Sequence, residues 1–293
     1  CARRKNGKIH STDLQNDRGT TKTESIQTIA QSYMVSFRDQ QERLPVDESS
    51  FASLMMKLKV TQWYDAIDHG MSIDDCNDVD VEELRSHPWV QSVEPNFKVF
   101  AQPIASTTAA TAQIIPTGIR RCGGTSSSTR AGNNTGSVGV VHVFVIDTGV
   151  APHPDLNLTS GISFVPGQPS TVDQHGHGTH VEGSIGAEGG NGIGISGVSP
   201  MVSLMILKYY DAHGNDMNNL IHTVKAIDYA VKMNCNIINY SGGGIAPSPD
   251  ERAAIERANK KGILFVAAAG NERSNSDTHK YYPADYGLPN ILS

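Results

Sequence analysis

Three histidines, His175, His177 and His180, fall within six positions of the run DQHGHGTHVEG (173–183). Such a cluster either binds a transition metal through imidazole nitrogens or supplies a base that moves a proton. The metal reading lacks the H-E-x-x-H spacing that pairs two helical ligands with a glutamate base. A base needs a carboxylate to orient it, and Asp147 ends the apolar run VGVVHVFVI (138–146). An acid placed there is costly unless it is hydrogen-bonded or faces a polar partner. Taken singly, Asp147 could be a turn residue and His177 a helix-capping one.

The surrounding pattern tells which elements must hold these side chains. The apolar, β-branched run before Asp147 reads as a strand buried on both faces. A helix is expected at 177–187, then a strand at VSLMILKYY (202–210) and a helix at 219–233 with Leu220, Val224, Ile227 and Val231 on one face. The strand NIINYS follows, then a helix from Pro249 to its stop at Gly262, and the buried strand ILFVAAAGN. Strands alternating with helices imply an α/β fold with a parallel sheet covered on both sides. Functional residues in such sheets belong at the carboxyl ends of the strands, which selects Asp147, the Asn239–Gly244 turn and Asn271.

Upstream, residues 26–100 read as a small α/β unit. Tyr33, Val35 and Phe37 alternate as in a strand, Phe51, Leu54, Met55 and Leu58 have helical spacing, and DVEELRS reads as a short helix with Asp80 as its N-cap. VQSVEPNFKVF is expected to be another strand. Residues 1–25 carry six Lys/Arg against three Asp/Glu and almost nothing apolar, so a disordered tail is expected there. The Ala- and Thr-rich segment 101–111 reads as an accessible linker.

Four blocks, VIDTGV, HGTHVEG, NYSGGG and AAAGNE, in this order and spacing, resemble the subtilisin-like serine proteases. HPDL (153–156) and NGIGISGVSP (191–200) extend the resemblance, which runs from Ala112 to the end. It implies a serine endopeptidase in which His177 is the base, Asp147 orients it, and Asn271 supplies the amide of the oxyanion hole. Ser241, Gly242 and Gly243 match the stretch that lines the specificity pocket and pairs with extended protein or peptide substrates; Gly214–Asn218 would face it across the cleft. Structural Ca²⁺ is implied too, held by Gln113, Asp155 and Asn191 side chains with the Ile193 and Ile195 carbonyls. Oxygen donors from a flexible loop suit that ion. Residues 26–100 resemble the inhibitor-like propeptide of the same proteases, a partner of its own catalytic domain at 112–293, with maturation near Ala112. Secretion is implied by the same resemblance.

Two patterns are set aside. GIGISG (192–197) spells G-x-G-x-x-G but follows a helix and precedes a strand, the reverse of a dinucleotide fingerprint. GGTSSS (123–128) echoes the family's nucleophile block but precedes Asp147, where the order should be Asp, His, Ser. No residue here matches the family's G-T-S-x-A-x-P serine, which is expected beyond Ser293, so the chain as it stands is expected to be inactive and to derive from a longer one. Glu182 departs from the family's usual alanine. The alternative is a non-catalytic binding or inhibitory protein derived from a protease.

Composition narrows the rest. With 24 Lys+Arg against 30 Asp+Glu, the net charge of -6 argues against a nucleic-acid partner. No run approaches the ~18 apolar residues of a membrane span. Cys1, Cys76, Cys122 and Cys235 lie far apart and match no C-x-x-C spacing, which leaves their pairing open.

Overall fold

Strand and helix runs in the sequence become two large sheets with different logic, beside two two-stranded pairs. The computed structural model describes residues 11–15, 21–25, 28–38, 48–64, 70–101, 113–133, 135–136, 139–200, 202–211, 218–271 and 273–293. Within the expected tail, β1 (Ser11–Gln15) pairs with β2 (Thr21–Ser25) as an antiparallel hairpin. The next segment builds a four-stranded antiparallel sheet from β3 (Thr28–Phe37), β4 (Lys59–Tyr64), β5 (Gly70–Asp74) and β6 (Val90–Phe97), in the order β4-β5-β3-β6. Helices α1 (Glu48–Lys57) and α2 (Asp78–Ser86) belong to this unit.

Alternation along β3 sorts its side chains between two cores. Val35 and Phe37 join Leu54 of α1, Val81 and Leu84 of α2, and Met71 and Ile73 of β5. Met34 points the other way, into the core of the larger sheet with Phe97 and Val99. The N-cap of α2 is Asn77, not Asp80. Asn77 Oδ1 accepts from Val79 N at 2.9 Å and Asp80 N at 3.0 Å, while Asp80, as the third helical residue, reaches back to Asn77 N at 3.4 Å. The pattern is a reciprocal capping box, in which either polar residue reads as a cap from sequence.

After β7 (Phe100–Ala101) and the short α3 (Thr117–Arg121), the chain builds an all-parallel sheet. Its strands are β8 (His142–Asp147), β9 (Leu158–Ser163), β10 (Ser203–Lys208), β11 (Ile237–Tyr240), β13 (Leu264–Ala267) and β14 (Ile291–Leu292), in the order β14-β13-β11-β8-β10-β9. The two-residue β12 (Gly242–Gly243) lies outside this sheet and pairs with β7. Helices α4 (His177–Gly186), α5 (Asn219–Lys232) and α6 (Pro249–Lys260) flank the sheet. Phe144 and Ile146 of β8 pack with α5 and α6, and Val143 and Val145 pack with Val181 and Ile185 of α4. Burial of both faces explains the unbroken apolar run, although its ladder begins at His142 rather than at 138. The 202–210 run is likewise trimmed to Ser203–Lys208.

Candidate active site

Asp147 is the last residue of β8 and His177 the first of α4, and both are buried. Asp147 Oδ1 accepts from His177 Nδ1 at 2.6 Å and from Thr148 N at 2.7 Å. Because the carboxylate only accepts, Nδ1 carries the ring proton, and Nε2 is left as the basic nitrogen. Gly178 makes this approach possible: a Cβ there would overlap the Gly149 carbonyl oxygen and stand 3.1 Å from Asp147 Oδ1.

The helix that carries His177 has no side-chain cap of its own, since its N-cap is Gly176 in the left-handed region at φ 95°. Asp173 and Thr148 do that work from outside. Asp173 Oδ1 accepts from His175 N (2.9 Å), Gly176 N (2.8 Å) and Thr148 Oγ1 (2.9 Å), while Oδ2 accepts from Thr179 N (3.0 Å) and Thr179 Oγ1 (2.7 Å). Thr148 Oγ1 in turn accepts from Gly178 N at 2.9 Å. Orphan N–H groups at the start of α4 are thereby satisfied. Burial works to raise the Asp173 pKa, but the hydrogen bonds from Thr179, Gly176 and Thr148 outweigh it and hold the pKa below the ordinary value. Sequence reasoning missed this residue; an acid four positions before a helix start was the available signal.

The other histidines of the cluster play different parts. His175 is exposed, with its ring centroid 6.2 Å from that of His177. His180 is also exposed, and its backbone carbonyl accepts from Ser184 Oγ. Among the described residues no group of three or more His, Cys, Asp or Glu could hold a metal ion.

Beyond β11 the chain turns through Ser241, whose Oγ accepts from Asn239 Nδ2 at 3.0 Å. Gly242 and Gly243 then pair antiparallel with Ala101 and Phe100. Gly243 has φ 154°, and a Cβ there would overlap the Tyr282 carbonyl oxygen, so glycine is required. Asn271 is exposed in the segment after β13, the neighbour of β11. Parallel strands bring Asp147, Ser241 and Asn271 out at the same edge of the sheet. Of the segment expected across the cleft, 214–217 lies outside the described residues, as does 102–112, while Asn218 precedes α5.

Gln113, Asp155 and Asn191 converge. Asp155 accepts from Asn191 Nδ2 (2.6 Å) and Ile195 N (3.0 Å), and Gln113 Nε2 donates to Asn191 Oδ1 (2.8 Å). Gln113 Oε1 accepts from Gly190 N, and Ile114 bridges to Ile195. Ile193 and Ile195 lie on the same loop. The side chains offer oxygen and one carboxylate without thiolate or imidazole, a donor set that fits Ca²⁺.

The antiparallel sheet meets the N-termini of α5 and α6. Asn96 Nδ2 donates to Asn218 Oδ1 at 2.9 Å, and Asn219 Nδ2 to the Val99 carbonyl at 3.2 Å. Ser248, the N-cap of α6, donates to Glu94 Oε1 at 2.7 Å while accepting from Glu251 N. Burial, then the charge of Asp250, pushes Glu94 up to about 8 against the pull of the Ser248 hydroxyl. Burial also pushes Glu251 up to about 7. Cys76, Cys122 and Cys235 are free thiols.

Comparison with known proteins gives this arrangement its context. Residues 139–293 match the subtilase family. M-protease of Shouchella clausii (strain KSM-K16) is 36% identical over 207 residues, 71% of this chain and 50% of that protein. Subtilisin Savinase of Lederbergia lenta is 39% identical over 175 residues, 60% of this chain and 61% of that protein. The chain thus spans about half the length of M-protease. Fervidolysin from Fervidobacterium pennivorans, described as a keratinolytic enzyme related to subtilisin, shares the fold with a TM-score of 0.62 at 22% identity, over 88% of this chain and 42% of that one. The chain belongs to the subtilase family of subtilisin-type serine proteases.

Proposed function

We propose that this chain is the zymogen form of a serine endopeptidase, with its propeptide still docked and its serine carried on sequence beyond Ser293. The observation that carries the reading is the buried Asp147–His177 hydrogen bond at the carboxyl end of a parallel sheet. In the reaction, His177 Nε2 takes the serine Oγ proton as Oγ bonds to the scissile carbonyl carbon, then gives that proton to the departing amine. Asp147 holds the Nδ1–H tautomer and stabilises the imidazolium. Asn271 donates to the oxygen that becomes negative, an interaction worth most when it is present only in the tetrahedral state.

Residues 26–100 act as the propeptide. Pairing of Phe100–Ala101 with Gly242–Gly243 supports this, because it occupies the edge that an extended peptide substrate would use as an added strand, beside Ser241. Segment 101–111 is then the maturation region, cut near Ala112. Ca²⁺ bound by Gln113, Asp155, Asn191 and the Ile193 and Ile195 carbonyls would supply a rigid tie between the new N-terminus and the 188–195 loop. No helix of the described residues is long and apolar enough to cross a membrane, and secretion is part of the proposal.

Expression of the full-length protein followed by N-terminal sequencing tests the reading. Self-cleavage near Ala112 that is abolished by His177→Ala is the expected result. A full-length protein that stays uncut and does not hydrolyse casein would leave the non-catalytic alternative standing.

A further inference from the structure

Glu182 lies five residues beyond His177 on α4 and is completely buried. Neither of its carboxyl oxygens has a hydrogen-bond partner among the described residues, and Asp147 Oδ2 is in the same condition. The two bare groups lie within each other's field, since the Asp147 charge acts on Glu182. A helical side chain leans back over the preceding turn, so Glu182 reaches toward position 178. That position is glycine, and even a Cβ there would stand 3.1 Å from Asp147 Oδ1. The face of α4 that packs on β8 thus carries Glu182 one turn beyond the position that abuts Asp147.

The charges around Glu182 are negative. Burial, then Asp147 on β8 and Asp173 ahead of α4, push its pKa up to about 8. Lys208, at the end of β10 opposite Asp147, is engaged with the Val172 carbonyl at 2.8 Å, and no cation pairs with Glu182 among the described residues. Two adjacent carboxyl groups in a dry site do not both ionise; one keeps its proton and becomes a donor.

We propose that Glu182 is a positioning residue for Asp147: it stands in the helix as a neutral acid, and a turn of its terminal torsions lets its O–H donate to Asp147 Oδ2. One proton is then shared by two carboxyl groups, and Asp147 is fixed from both sides, with Oδ1 on His177 Nδ1 and Oδ2 on Glu182. The inference rests on the reading of Asp147 and His177 as the orienting and basic pair. A donor on Oδ2 stabilises the Asp147 charge whether or not the imidazole is protonated, so it lowers the basicity of His177. Loss of that donor makes the imidazolium the main compensation for Asp147 and raises the His177 pKa.

Carbon-detected NMR titration of the 293-residue chain, labelled at the glutamate carboxyl and histidine ring carbons, tests this without turnover. In the unmodified chain Glu94 and Glu182 both titrate near 8, and Glu182→Gln removes one of these signals and thereby assigns it. Glu182→Ala raises the His177 midpoint by about 0.5–1 unit, while Glu182→Gln, which keeps a donor on a chain of the same length, leaves it within about 0.2 unit of the original. Two results overturn the proposal: Glu182 titrating near the ordinary 4.5, or the alanine and glutamine variants leaving His177 alike. Absence of peptidase activity would sink the proposed function and leave both readouts intact.

Discussion

Asp173→Asn tests whether the start of α4 is held from outside the helix. The carboxylate accepts five hydrogen bonds, three from backbone N–H groups and two from hydroxyls. An asparagine has one oxygen, so its NH₂ must face either Thr179 N or the His175 and Gly176 pair. The hydroxyls can rotate away, but a backbone N–H cannot. At least one buried donor is therefore left bare, at about 1–3 kcal/mol, and the remaining bonds fall from charged to neutral strength, each worth about 1 kcal/mol less. Partial relaxation brings the expected loss to about 2–4 kcal/mol, a large share of the stability of an ordinary domain. Equilibrium urea unfolding of the 293-residue chain at pH 7 measures it. The Asp173 pKa is depressed in the folded state, so its contribution is present above the unfolded value near 3.9 and lost as pH falls through the folded one. The gap between the two proteins should hold from pH 7 to about 4.5 and close below. A loss under about 0.5 kcal/mol at pH 7, or a gap that persists unchanged in acid, would refute the reasoning.

Gly178→Ala places a methyl group against the Gly149 carbonyl, which cannot yield without moving β8 from α4; it should cost about 1–3 kcal/mol and erase the downfield Nδ1 proton resonance of His177. Glu94 carries a raised pKa while docked on α6, so docking is strongest below its free value of 4.5 and weakens as pH rises toward about 8; hydrogen exchange in β6, corrected for intrinsic rate, should accelerate over that window and lose the trend in Glu94→Gln. Chelation by EGTA should lower the Tm, and Asp155→Asn should remove that sensitivity, since the one carboxylate of the oxygen set would be gone.

The parallel sheet was legible because its strands are buried on both faces, so runs such as HVFVI and LFVA are apolar without alternation. Its parallel character followed from alternating strands and helices, and with it the strand ends at which Asp147, Ser241 and Asn271 emerge; the strand order did not. Asp173 was not legible. Its role joins donors from 175–179 to Thr148, which meets them only in the fold, and its place four residues before the helix start was the one local signal. The reversed cap of α2 has a similar cause, since Asn77 and Asp80 bond reciprocally and either could be the cap. Glu182 stood out as a mismatch in the sequence, but its meaning required the close approach at Gly178 and the bare Asp147 oxygen.

The central claim is that Asp147 and His177 form the activating pair of a serine nucleophile. A fluorophosphonate probe, which labels only an activated serine, tests it in the full-length protein with peptide mapping. The account predicts labelling at one serine C-terminal to residue 293, abolished by His177→Ala and strongly reduced by Asp147→Asn. Labelling that survives His177→Ala, or a full-length folded protein that takes no label, would contradict it.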